Sequence, residues 1–274
     1  MGRRHLPGLL LACVALLPAV ARAEAMVARY DVQAAGMTIM QVEVLLDLDG
    51  PRYLVRTRVR ARGMVGWLSG GDQTTSAEGG WRGTEPVPTH YRTEGRWRGD
   101  RRFLVMDWSP SGMPQLRAVE PPLMGEHEPV PEALRQGTMD SLSALAKLTR
   151  TVARTGRCDG SAAVFDGRRR ANVTMHTISL DTLPAGEGFA GQALRCAFES
   201  QVIAGFRANQ DPAEARRPQP ATAWIGRPLP GAGPLPVRIE LPSRWFGTLR
   251  VLLTGVEPAG DPRDASGAVA EQRR

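Results

Sequence analysis

The stretch Thr138–Gly156, TMDSLSALAKLTRTVARTG, reads as one amphipathic helix in a chain whose other patterned segments alternate like strands. On a helical wheel Met139, Leu142, Leu145, Ala146, Leu148, Val152 and Ala153 share one side. Asp140, Ser143, Lys147, Arg150 and Arg154 share the other. Thr138 is expected to cap the first turn, Asp140 suits the positive N-terminal end, and Arg154 with Gly156 suits the C-terminal end. A helix with one apolar face needs a surface to lie on, and sheet is the partner this chain offers.

The strand signals are strong. Met37–Leu48 alternates, Asp49-Gly50-Pro51 marks a turn, and Tyr53–Ala61 alternates again, with Tyr53, Val55, Thr57, Val59 and Ala61 opposite Leu54, Arg56, Arg58, Arg60 and Arg62. These two segments predict an antiparallel hairpin. Further strands are expected over Ala25–Val32, Gln73–Trp81, Thr89–Trp97, Arg102–Trp108 and Gln115–Val119 before the helix. Ala162–Asp166, Ala171–Leu180, Ala193–Ala204, Thr222–Ile225, Leu235–Leu241 and Gly247–Gly255 are expected after it. Pro86 and Pro88 are assigned to a connection, and Asn209–Pro220 to a loop. Hairpin-linked runs with one helix between them predict a mainly β fold. It is a single antiparallel, strongly curved sheet or open β-barrel with the amphipathic helix packed on it.

The chain begins like an exported protein. Arg3, Arg4 and His5 precede an apolar run, Leu6–Val20, and Ala21-Arg22-Ala23 has the small-x-small form of a cleavage site. Residues 1–23 are read as a signal peptide, 24–256 as one β-rich domain, and 257–274 as a flexible tail. A lipoprotein box at Leu10–Cys13 and an uncleaved anchor are the rival readings. No later stretch has membrane-spanning length, so no integral span is expected after cleavage. The expected location is the periplasm.

Cleavage lowers the formal charge from +7 to about +4, nearly all of the basic residues being arginine. They are dispersed among acidic residues, and aromatics do not interleave a basic stripe, so nucleic acid is not expected as a partner. Arg168-Arg169-Arg170 is the densest run. It is read as a solvated hairpin end after Asp166-Gly167, with a phosphate- or headgroup-binding patch as the alternative. Of three cysteines, Cys13 leaves with the signal. Cys158 and Cys196 then predict one disulfide tying the helix exit to a strand, two free thiols being the alternative.

Several short features, in order, carry a resemblance. They are Tyr30 and Tyr53 in the first strands, Pro88 with Tyr91, the helix start Asp140–Ala144, the turn Phe165-Asp166-Gly167-Arg168, a later cysteine, and the closing segments Pro236–Ile239 and Gly247–Leu253. Over most of Ala25–Val256 the chain resembles the bacterial domain-of-unknown-function family numbered 3108. That resemblance implies no activity and no functional residue. Its implied outline, a curved antiparallel sheet with a helix against it, is similar to the lipoprotein carriers of the Lol system by fold analogy alone.

Chemistry is sparsely signalled. His90, His127 and His176 lack metal-ligand spacing, and no cofactor or metal is expected. Asp140 and Ser141 beside His176 could form a catalytic set, but helix capping explains the first two better. No catalytic residue is assigned. The expected function is a non-enzymatic binding or carrier module for an apolar or amphiphilic ligand such as a lipid. An assembly factor binding another envelope protein is the alternative, and a hydrolase with an unrecognised site a further one. Met64, Val65, Trp67 and Leu68, set among glycines, are either a buried bulge or an apolar rim of the ligand site. Leu142, Leu145 and Val152 either fill the hollow of the sheet or line a ligand site within it.

Overall fold

A computed structural model describes residues 25–63, 71–97, 99–122, 127–186, 188–243 and 247–259. Residues 1–23, expected as a signal peptide, and Met64, Val65, Trp67 and Leu68 lie outside the described residues. Strands β1 (Met26–Ala34), β2 (Met37–Asp47), β3 (Arg52–Ala61), β4 (Asp72–Arg82), β5 (Glu85–Trp97), β6 (Asp100–Trp108) and β7 (Pro114–Glu120) come first. Helix α1 (Glu132–Arg135) and helix α2 (Ser141–Thr155) follow. Then come β8 (Gly160–Phe165), β9 (Arg170–Leu183), β10 (Gly191–Ala204), α3 (Pro212–Ala215), β11 (Gln219–Gly226), β12 (Leu235–Ser243) and β13 (Gly247–Pro258).

All 13 strands form one antiparallel sheet in the order β7-β6-β5-β4-β3-β2-β1-β13-β12-β11-β10-β9-β8. The first described strand, β1, therefore lies in the middle of the sheet, and the strands after it meander to one edge. The chain crosses with α2 to the opposite edge, then meanders back until β13 pairs with β1. Each step is a hairpin except the crossover, which is why hairpin signals dominate the sequence.

The sheet is not closed by a β7–β8 ladder, yet its two edges lie near each other. Met139 occupies the gap: its N–H donates to the Ala163 carbonyl at 2.9 Å, and its own carbonyl accepts from Phe165 N–H at 2.8 Å. Trp108 Nε1 on β6 donates to the Thr138 carbonyl at 2.8 Å. The arginine run joins the same seam. Asp166 Oδ1 accepts from the backbone N–H groups of Arg168 and Arg169, shaping the turn. Arg168 Nη2 donates to the Pro121 carbonyl at 3.0 Å, and Arg170 Nε to the Leu134 carbonyl at 3.1 Å. The expected solvated hairpin end is thus a docked one, with Arg168 and Arg170 half-buried.

The helix lies across β3, β4, β5 and β8. Its N-cap is Asp140 rather than Thr138. Asp140 Oδ1 accepts from Leu142 N–H at 2.9 Å and Ser143 N–H at 2.8 Å, while Thr138 Oγ1 turns back to the Arg135 carbonyl. Gly156, at φ 67°, closes the other end by donating to the Val152 carbonyl. Leu142 and Ala146 join one apolar core with Tyr30, Tyr53, Val55, Tyr91, Met106 and Phe165. Leu148 and Val152 join a second with Cys158, Met175, Cys196, Ala223 and Ile225. Cys158 and Cys196 form the disulfide, so the helix exit is pinned to β10 inside that second core.

Several boundaries differ from expectation; the expected loop Asn209–Pro220 holds α3 and the start of β11, and two further differences have local reasons. Pro86 and Pro88 belong to β5 because β6 covers only His90–Trp97, so both prolines sit where β5 has a partner on one side alone. Glu257, expected in the tail, pairs with Val27, and its carboxylate accepts from Arg29 Nη2 at 2.5 Å. The last strand therefore runs on to Pro258.

Candidate functional site

The hollow of the sheet is largely filled. Leu142 and Val152 are buried, and Leu145 is half-buried against the first core. A cavity of about 250 Å³ remains between the C-terminal half of α2 and the rim of the sheet. Met26 of β1, Leu46 of β2, and Pro234 and Leu235 at the start of β12 form its apolar side, with Leu48 beyond β2. Thr149, Arg150, Ala153 and Arg154 form the helical wall, and Asp49 sits on the rim. Spacing by one helical turn places Thr149 above Ala153 and Arg150 above Arg154, so a small-residue stripe and a cationic stripe run side by side.

Arg150 is held from behind. Its guanidinium carbon lies 4.1 Å from the centroid of Trp81, and Nη1 donates to the Leu48 carbonyl at 3.2 Å. Its Nε is buried with no acceptor. Burial, and then the neighbouring Arg154 cation, lower the Arg150 pKa, while Asp49 raises it. An arginine so placed stays charged. Behind it the Trp81 ring packs on Tyr53 at 4.9 Å. Tyr53 Oη and Ser143 Oγ are 2.7 Å apart, and Ser143 Oγ donates to Asp140 Oδ2 at 2.5 Å. A polar and aromatic chain thus runs from the cavity wall to the helix cap. Gly79 lets Tyr53 into this chain, since a Cβ there would stand 2.6 Å from the tyrosine oxygen.

Residues 27–254 match the family described as protein of unknown function (DUF3108). The chain belongs to that family. This DUF3108 chain is also similar in fold to a crystal structure from Brucella abortus, a beta-barrel-like protein of domain of unknown function DUF1849. The TM-score is 0.53 at 13% identity, covering 87% of this chain and 99% of the other. No curated protein matches the sequence.

The structure of the DUF3108 chain separates the residues that a catalytic set would need. Asp140 is wholly buried, with both carboxylate oxygens engaged by the helix start. His176 follows Met175, which faces the second core, so strand alternation turns His176 outward, where it is exposed. His90 Nδ1 lies 2.8 Å from Asp107 Oδ1 on neighbouring strands, and Arg117 Nε donates to the other Asp107 oxygen. Among the described residues no group of three or more His, Cys, Asp or Glu side chains could hold a metal ion.

Asp140 is open to a direct test. Burial raises its pKa, opposed by hydrogen bonds from Ser143 and Leu142. Asp140→Ala strands those buried donors and is expected to cost about 3 kcal/mol. Asp140→Asn keeps the accepting oxygen and carries no charge to bury, so its stability at pH 7 should stay within about 1 kcal/mol of the parent. Urea unfolding of both variants measures the contrast, and equal losses would contradict the capping role.

Arg150 and Arg154 enter the site although the helical wheel assigns them to the solvent face. The available signal was their i, i+4 spacing on the margin of the apolar stripe, next to Ala153. Met26, Leu46 and Leu235 carried no such signal, because distant strand ends meet only in the folded sheet.

Proposed function

We propose that the mature chain is an exported, non-enzymatic binding module of the envelope that holds one apolar or amphiphilic ligand against α2. The observation that carries this reading is the cavity between helix and rim, apolar on the Met26–Leu46–Leu235 side and open to solvent at Ala153 and Arg154. Its volume is near the lower bound of about 300–1,000 Å³ typical of ligand pockets, which suits one chain rather than a multi-chain lipid. Native mass spectrometry with lipid extraction of protein purified from periplasm tests this reading. A co-purifying amphiphile that is lost on Leu235→Trp, a substitution that fills the cavity, is the expected result. A ligand-free protein that takes up no added amphiphile would overturn it.

A second reading, assembly with another envelope protein, is favoured by one edge. β8 covers β9 only over Arg170–Met175, and beyond it Ile178 and Leu180 are 52% and 63% exposed. Site-specific crosslinking from position 180 in cells, with and without Ile178→Lys, tests that surface. A reproducible partner lost in the variant supports the second reading, and no partner counts against it.

A further inference from the structure

Resting on the binding reading above, we infer that the cavity beside α2 selects a single-chain amphiphile with an anionic headgroup, read by Arg150 and Arg154. Charge complementarity at a cavity with one apolar side favours this head. Two guanidinium groups, one helical turn apart, border the same cavity as Met26, Leu46, Leu48 and Leu235. One carboxylate, Asp49, shares the rim. Arg154 in the last turn also complements the negative end of the helix dipole, which accounts for one cation there. It does not account for Arg150, a turn earlier. That side chain is held against Trp81, its guanidinium carbon 4.1 Å from the ring centroid, and keeps its charge at the cavity wall. A carboxylate or phosphate head at the mouth would accept from the guanidinium fork of Arg150 and from Arg154. Its chain would then lie along the Leu46–Leu235 side.

Three features favour this occupant over others. A cationic head would meet two arginines at close range. A neutral hydroxyl head accepts a hydrogen bond but brings no charge to set against the two guanidinium groups. A bulky, multi-chain lipid exceeds a space of about 250 Å³. The Trp81 indole beneath Arg150 also supplies a reporter, since a head that engages the guanidinium changes the charge over the ring.

The test uses the full mature chain titrated at pH 7 with decanoate, decanol and decyltrimethylammonium, followed by calorimetry and by tryptophan emission. Decanoate is expected to bind at least tenfold more tightly than decanol, with decyltrimethylammonium weakest. Arg154→Gln should remove part of that preference, and Arg150→Gln with Arg154→Gln should bring decanoate down to the level of decanol while decanol binding is unchanged. Arg150→Lys, which keeps the charge, should retain part of the preference and shows whether loss in the double variant comes from charge or from misfolding. Equal binding of decanoate and decanol to the parent overturns the headgroup assignment and leaves the apolar-ligand reading standing. Binding of none of the three overturns both.

Discussion

Replacing Cys158 and Cys196 together by alanine is expected to lower stability by about 4 kcal/mol and the melting temperature by roughly 8–16 °C. The bond spans 38 residues, from the helix exit to β10. Closing a loop of that size removes about 4 kcal/mol of conformational freedom from the unfolded chain in the chain-entropy model. Either single variant should cost nearly as much as the pair, because the crosslink is lost with the first sulfur. Both cysteines are buried, at 1% and 0% exposure, so dithiothreitol alone should reduce the native protein slowly and rapidly only once denaturant opens the second core. Thermal unfolding followed by circular dichroism measures the first effect, and thiol labelling under native conditions the second. A double variant within 1 kcal/mol of the parent would show that the crosslink does not carry this share of the stability.

Alkaline unfolding should be steep. The chain has three tyrosines, and Tyr30, Tyr53 and Tyr91 all lie buried in the first core. Burial raises every one of their pKa values, that of Tyr91 to about 12 and the other two further. In the unfolded chain each ionises near pH 10. Below that value both states hold the phenolic protons and stability is unaffected. Above it the unfolded chain loses protons that the folded chain keeps, so stability falls as pH rises toward the folded-state values. Each tyrosine contributes about 1.4 kcal/mol per pH unit, and the three together roughly 4. A titration followed at 295 nm should therefore show no tyrosinate on the native protein near pH 10.5. The three should then appear together, in step with loss of the far-ultraviolet signal. Tyrosinate forming at pH 10 with the fold intact would place at least one ring at the surface.

Much of the architecture was legible because strand alternation is local. Tyr53 and Val55 face inward along β3 and Arg58 and Arg60 outward, as the alternation of that segment predicts. The helix was legible for the same reason, down to its Gly156 cap. The sequence offers capping at both Thr138 and Asp140, because both types cap well. Which one does so depends on where Met139 is held, and Met139 is held by β8, a strand later in the chain. The prolines of β5 were misread because a proline's cost depends on whether a strand lies on its N–H side. That is a property of β6 ending at Trp108, not of Pro86 or Pro88 themselves.

The candidate site was the least legible part. The apolar helical face leaves open whether Leu142, Leu145 and Val152 fill the hollow of the sheet or line a site within it, and in the structure they pack against the cores. The cavity instead uses the flank of the helix, where Arg150 looks like an ordinary solvent-facing residue until Trp81 and Leu48 are seen to hold it down.

Legible in the residues alone were the strand alternation, the one long amphipathic helix against a sheet, the family, and Cys158 and Cys196 as a pair able to bond. These follow from period, turn chemistry and counting, which act within a few residues or need no geometry. Tertiary packing settles that β1 lies mid-sheet and pairs with β13, that Arg168 and Arg170 serve the seam, and that a cavity survives beside α2. These depend on how thirteen strands twist and bring remote ends together. Packing at such a meeting point is set by the shapes of residues far apart in the chain, a quantity that no local pattern encodes.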